Sequence, residues 1–589
     1  MIVATAVVAP VAYMAMFSGF FATDDEGYFL VLFRDYLGGQ PLLGPATPIY
    51  GPFFFETLAA FFKILGLAPG QDTGRLLTLA VWLLTDVLAA LTTYRLTRNL
   101  WLSLGAELLT VHVLMDLTHE PMSPQALISL LLVLLATTAT FRSTRPRLTA
   151  ALVGGIVAAL CLTKINVGFF AAYAVVLAWS AGLSGAWRRV VLPAAAVGGV
   201  VLPFALTSSL LTQAWVAEFA IGMALSSAAL GVVLLTIGPR PAQPQGAAVW
   251  VLTGGALVIV VCVLIAIAGG TSLADLWNGL IVYSFRQPHI FTIPIDVSPL
   301  FDVIAAGSLA ASILLARARS TTLLSPAIRA SVGLSIWAAM FLVPTAIFLV
   351  TLPAAWVAAV RPGGEPGDHA MDYARVLLPG LAIANTLQAY PVSGTQASLA
   401  AFMQVFLGAI CLADAAREVR RLSSGRSASR APAAGAALGI LAFGLNAAFT
   451  PGAYNHQVPL GLPAAMSVRV SAAQATQLRA LVSAIDGQCS DLITFPGMNS
   501  FYVWTDQTPP PGLRSEVWMA TYTDAQQQSV LDQISGANRL CVVKNDRVIR
   551  FWMGARSPHG PLVSFIDQNF VPIGTYGDYQ LLTQSGKNG

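Results

Sequence analysis

The residues best suited to chemistry come early. Thr23-Asp24-Asp25-Glu26-Gly27-Tyr28 sets three carboxylates in a row directly after the first apolar stretch, in a chain of 589 residues of which only 10% are charged. Acidic side chains near hydrocarbon are costly and usually functional. A plain helix stop at the water interface would not need three acids followed by aromatics, and the stretch continues as Pro48-Ile49-Tyr50-Gly51-Pro52. An acid cluster at the end of an apolar bundle suits three kinds of work: a proton or cation path, an enzyme acting on lipid-linked substrates, or an assembly scaffold. Transporters tend to place ionisable groups at mid-membrane, on broken helices in repeated halves. Here the charges gather at helix ends and the two halves do not look alike, which favours interfacial chemistry.

The elements that must position these acids are membrane helices. The chain is 56% hydrophobic with a mean hydropathy of +0.70, whereas soluble proteins carry about 25% charged residues. Separated apolar runs of about 17–25 residues are each long enough to span a bilayer. The first, Ile2–Phe21, lacks a positive leader and reads as a retained helix. A net charge of +4, with no basic arm, excludes a nucleic-acid partner. Cytoplasmic loops hold the Lys/Arg excess. Placing Arg95, Arg98, Arg142, Arg145, Arg147, Arg188, Arg189, Arg240, Arg317, Arg319, Arg329, Arg417, Arg420 and Arg421 inside gives about thirteen helices. It also puts the acidic motif and His119-Glu120-Pro121 outside. Residues 374–390 are too weak for a full crossing and read as a re-entrant or interfacial piece, and Phe53-Phe54-Phe55 reads as interfacial anchoring. The fold class is therefore an α-helical polytopic membrane protein over 1–450, with a small extracytoplasmic α/β domain over 451–589. In that tail Ala472–Ile485, Asp524–Ile534 and Leu562–Phe570 read as helices. Leu492–Phe495, Phe501–Trp504, Leu540–Val543 and Tyr579–Leu582 read as strands.

Asp25-Glu26 after the first helix, Gly38-Gly39-Gln40-Pro41 and Tyr50-Gly51-Pro52 resemble the first outer loop of GT-C glycosyltransferases. The chain is similar to the bacterial polyprenyl-phosphate-sugar-dependent group, akin to protein mannosyltransferases and the aminoarabinose transferase. Thr163-Lys164-Ile165-Asn166-Val167-Gly168, Gln287-Pro288-His289, Tyr390-Pro391-Val392-Ser393-Gly394 and Phe495-Pro496-Gly497 resemble an uncharacterised branch of that superfamily. Where that branch has Tyr-Arg-Asp-Phe, this chain has Pro41-Leu42-Leu43-Gly44, so the resemblance does not extend to sugar or acceptor specificity.

The resemblance implies transfer of a sugar from a lipid-phosphate donor to an acceptor hydroxyl. A carboxylate must take the hydroxyl proton, cations must hold the leaving phosphate, and a greasy groove must take the prenyl chain. Asp25 is then the general base, with Asp24 or Glu26 as orienting partner or substitute. Lysine is rare: Lys63, Lys164, Lys544 and Lys587 are the full set. Lys164, at a helix end among apolar residues, is the first candidate for the phosphate; the alternative is a snorkelling lysine. Arg286 with His289 could clamp it bidentately, and Arg75 is a further candidate. Tyr50, His119, Glu120 and Arg375 would complete the site or meet the acceptor. One histidine beside one glutamate does not indicate a metal, and no cofactor is expected.

The expected partners are the lipid-linked sugar donor, membrane lipid and a glycan, lipid or protein acceptor, at the plasma (inner) membrane. The rival readings are a transporter or flippase of lipid-linked saccharide and a non-catalytic envelope scaffold. Of the five cysteines, Cys161, Cys262 and Cys411 sit in apolar runs, while Cys489 and Cys541 lie in the tail beside and within expected strands. If those strands are neighbours and the tail is outside the cytoplasm, the two can form a disulfide.

Overall fold

The computed structural model describes the chain apart from residues 1, 44–49, 143, 291, 320, 343–345, 363–370, 424–428, 535, 538 and 586–589, with backbone alone at 2–4, 287–290 and 322. Among the described residues nine helices are long and apolar enough to cross a membrane. Four shorter apolar helices, Thr5–Met16, Pro124–Ala139, Ile165–Ala181 and Pro326–Phe341, fall where the sequence places further spans. The chain is thus a multi-pass helical membrane protein with a small C-terminal sheet. Local chemistry sets several helix starts. Proline opens the helices at Pro124, Pro146 and Pro326, where its missing N–H is no loss. Asn99 caps Leu100–Met115 by accepting from Leu102 N at 3.1 Å.

The helix Gln71–Thr97 shows how the bundle is laid out. Its 27 residues span about 40 Å at 1.5 Å per residue. It begins beside the acidic motif and ends at Arg95, which bonds Thr140 Oγ1 at 2.8 Å and Thr140 O at 3.0 Å. Near that end Arg142 meets Gln243, and Arg188 reaches Leu234 O at 3.1 Å. These arginine turns therefore gather at one end of the bundle and the acids at the other.

Three local expectations are corrected. Asp372–Thr386 is not interfacial: each of its residues is buried and it packs inside the bundle against Ile165–Ala181. Phe54 and Phe55 do not anchor at an interface. They are fully buried in an aromatic cluster with Phe29 and Phe33, at ring distances of 5.2–5.5 Å. Phe501–Trp504 is not a strand but part of the helix Ser500–Trp504. All four side chains are buried there, and a short run without a solvent face carries no period to read.

The tail sheet runs in the order Asp491–Phe495, Leu540–Lys544, Tyr579–Gln584, Phe570–Tyr576. Its first pair is parallel and the others antiparallel. The strand Phe570–Tyr576 and the helix Asp546–Met553 are additions to the sequence reading. Cys489 and Cys541 form a disulfide with Cα atoms 5.6 Å apart. Leu460, Leu478, Phe501 and Trp504 share one core with Phe17 and Phe29 of the bundle. Ile493, Trp518, Val542 and Leu582 form a second core under the sheet.

Candidate functional site

The three acids of the motif divide into different roles. Asp24 has a left-handed backbone, φ 58°, and caps the helix Asp25–Leu37 by accepting from Gly27 N at 3.1 Å. It also accepts from Ser500 N at 2.5 Å and Ser500 Oγ at 2.6 Å. Asp24 is thus the seat of the tail on the bundle. Gly27 makes that seat reachable, since a Cβ there would lie 2.2 Å from Ser500 N. Glu26 receives both Arg75 Nε and Nη2 at 2.7 Å, and Gln71 Nε2 at 3.0 Å. Arg75 Nη1 is spent on Met16 O at 2.8 Å and Gly19 O at 3.1 Å. These bonds set Asp24, Glu26 and Arg75 apart from the expected roles of base and phosphate ligand, since each is engaged within the protein.

Asp25 is not bonded in this way: its buried Oδ1 has no hydrogen-bond partner among the described residues. It opens its helix, and its carboxyl lies beside that of Glu516. Burial, and then the charge of Glu516, pushes Asp25 well above the usual carboxylate range. Burial raises Glu516 as well, helped by Glu120 and Asp24. Sequence reasoning missed Glu516. The available signal was that it is the single glutamate between 451 and 589.

Glu120 joins the cluster from the turn after Leu100–Met115. It accepts from Thr395 Oγ1 at 2.8 Å and Gln125 Nε2 at 3.2 Å. Burial and the nearby Asp25 push it up to about 8. Its neighbour His119 is exposed and lies against Phe21, 4.6 Å between ring centres, so the pair does not act as a unit.

Lys164 sits at the break between Pro146–Thr163 and Ile165–Ala181, in extended backbone. It is 6% exposed, so its charge is not snorkelling into water. Its ammonium donates to Gln396 Oε1 at 2.8 Å, stands 5.9 Å from the Tyr50 ring centre, and makes no ion pair among the described residues. Burial lowers it to about 8, with Glu120 holding it up. Tyr50 reaches this place because Gly51 packs on the same break: Gly51 N donates to Thr163 O at 3.0 Å, and a Cβ on Gly51 would fall 2.1 Å from Leu162 O.

Two other candidates fall elsewhere. Arg375 bonds Asp414 at 2.9 and 2.6 Å and Ala358 O at 3.1 Å, in a buried cluster with Arg329 and Arg417. That cluster compensates a buried carboxylate and engages Arg375 away from Asp25 and Lys164. Arg286 is exposed on Tyr283–Ile290, and the side chain of this helix that feels Glu516 is Tyr283. The His289 side chain, like Gly44 and Pro48-Ile49, lies outside the described residues. Among the described residues no group of three His, Cys, Asp or Glu is placed to hold a metal ion.

Asp25, Glu516, Glu120, Tyr50 and Lys164 thus meet where the tail covers one end of the bundle. They combine carboxyls with a sheltered cation that makes no direct ion pair among the described residues and feels Glu120 at longer range.

No protein-family model and no curated protein sequence matches the chain. Among solved structures it is similar to the crystal structure of the Archaeoglobus fulgidus oligosaccharyltransferase tethered to an acceptor peptide containing the NVT sequon, with a TM-score of 0.42, 11% identity, and coverage of 98% of this chain and 73% of that one.

Proposed function

We propose that this chain is a membrane glycosyltransferase of the GT-C type that moves a sugar from a polyprenyl-phosphate donor to an acceptor hydroxyl. The observation that carries the reading is Lys164: a buried ammonium with no direct ion pair among the described residues, beside carboxyls at the helix ends. A buried charge is expensive unless compensated, and an anionic phosphate supplies the compensation. The acceptor oxygen attacks the anomeric carbon while its proton passes to ionised Asp25. The bond from that carbon to the phosphate oxygen breaks, and its electron pair leaves on the phosphate beside Lys164. Tyr50 shields the ammonium from water. The arginine-bearing end of the bundle faces the cytoplasm by charge bias, so the site and the 451–589 domain work on the extracytoplasmic side of the plasma membrane. A disulfide in that domain agrees with an oxidising compartment.

The test is transfer of radiolabelled sugar in liposomes that contain the donor lipid. Asp25→Asn keeps the shape of the side chain and removes the base, so transfer should fall about 10²–10⁴-fold. Wild-type transfer by Asp25→Asn would end the mechanism. Movement of intact lipid-linked saccharide across the bilayer, insensitive to that change, would establish a flippase instead.

A further inference from the structure

The C-terminal domain brings Glu516 to the site, and its position is built from two directions. Within the domain, Gly497 N donates to Glu516 O at 2.8 Å and Trp518 Nε1 donates to Thr494 O at 2.9 Å. The turn carrying Glu516 is therefore tied to the strand Asp491–Phe495. Against the bundle, Ser500 is held by Asp24, Arg514 pairs with Asp35 at 3.1 Å, and Arg34 donates to Tyr502 O at 3.2 Å. With both anchors set, the Glu516 carboxyl lies against Asp25. Asp25 Oδ1 and Glu516 Oε2 are buried, and among the described residues neither has a hydrogen-bond partner. Carboxylates only accept, so two carboxyls bond each other only when one of them holds a proton.

We infer that Glu516 is the proton partner of Asp25: the tail domain supplies the second carboxyl of a pair that holds one proton, and by taking that proton it leaves Asp25 ionised to receive the acceptor's. The last step rests on the transferase reading above; the pair itself does not. The exchange moves no net charge, from Asp25–OH with Glu516–O⁻ to Asp25–O⁻ with Glu516–OH. Transfer then adds the acceptor's proton, and the pair returns one proton to water after the product leaves. Glu516 acts through Asp25 and is a positioning residue.

The groups facing the pair come from several elements. Asp24, Tyr28 and the Arg75-neutralised Glu26 come from the motif, and Tyr50 from the following loop. Glu120 and Lys164 come from helix ends, Tyr283 from its own helix, and Tyr522 and Arg514 from the tail. Arg514 is engaged by Asp35 and Lys164 interacts with Glu120, so neither of these cations ionises both carboxyls together.

The experiment is infrared titration of protonated carboxyl bands in the full chain, reconstituted in lipid and without substrate. Coupled carboxyls lose protons in two steps that belong to the pair. Glu516→Gln should remove the upper step and leave Asp25 titrating at least about one unit below it, the scale of a neighbouring-charge effect. Should that variant fail to fold, Glu516→Asp, one methylene shorter, should narrow the gap between the steps. Asp25 titrating at the unchanged upper step in Glu516→Gln, or an unchanged gap in Glu516→Asp, would overturn the inference. In the transfer assay the acid limb of kcat/KM should move in the same direction with KM unchanged, which a merely structural residue would not produce. Shifted bands without any sugar transfer would keep the pair and remove the transferase reading. Sugar transfer with unshifted bands would do the reverse.

Discussion

Arg75→Met separates a structural arginine from a phosphate ligand. The Arg75 side chain is 2% exposed and that of Glu26 5%. The guanidinium makes four bonds, two to the carboxylate and two to backbone carbonyls. Methionine is close in volume but removes all four. It leaves the Glu26 carboxylate in a dry site with Gln71 Nε2 as its remaining donor. Removing one partner of a buried pair costs about 3–5 kcal/mol, chiefly because the other charge is stranded. Combining Arg75→Met with Glu26→Leu removes the stranded charge, so the double variant should be more stable than Arg75→Met alone. What remains is the loss at Met16 O and Gly19 O, about 1–3 kcal/mol for each carbonyl left unsatisfied. A double-mutant cycle by reversible denaturation of the purified protein in micelles should therefore return a coupling of roughly 3 kcal/mol. Because Nε, Nη1 and Nη2 are all engaged within the protein, donor affinity in the double variant should match the wild type. Lost donor binding with unchanged stability in Arg75→Met would refute the reasoning and return Arg75 to the phosphate.

Three further outcomes follow from the geometry. Lys164→Ala should weaken donor binding and turnover, and Lys164→Arg should keep part of both, because the charge survives in a different shape; titration with the lipid donor checks this, and unchanged affinity in Lys164→Ala would remove the phosphate role. Burial raises Asp24 from 3.8 to about 8, against the bonds from Ser500 and Gly27 that pull it down. The seated state then holds a proton that the unfolded chain has released, so this contribution is complete below about pH 4 and is lost as pH rises to about 8. Hydrogen exchange at Phe501–Trp504 should show the seat loosening between pH 5 and 9 beyond the intrinsic rate change, and Asp24→Asn should abolish that dependence. Finally, Cys489 and Cys541 close a separation of 52 residues, worth about 4 kcal/mol in the loop-entropy account. Peptide mapping should find neither thiol alkylated before reduction and both after it.

The sequence alone determined the features that depend on local composition. Apolar runs of spanning length place the helices, because lipid forces the backbone to bond within each segment. Arginine turns and acidic turns separate to opposite ends because one register of crossings alternates them. The tail strands at Leu492–Phe495 and Leu540–Val543 were legible as short apolar runs containing β-branched residues. The motif Asp24-Asp25-Glu26 was legible as a site because three acids beside hydrocarbon need a reason. The assignment of work among those acids was not, since three adjacent carboxylates are alike until each meets its partner. Asp24 meets Ser500, Glu26 meets Arg75, and Asp25 meets Glu516. Two of these partners lie more than 470 residues away, and no local periodicity encodes such a distance. The same holds for Asp372–Thr386 and Phe501–Trp504, whose burial on every face removes the polar side that pattern reading requires. Lys164 stood out in the sequence for its rarity. That it makes no direct ion pair among the described residues is a property of packing, because whether a buried charge is paired depends on which side chains the fold brings within a few ångströms of it.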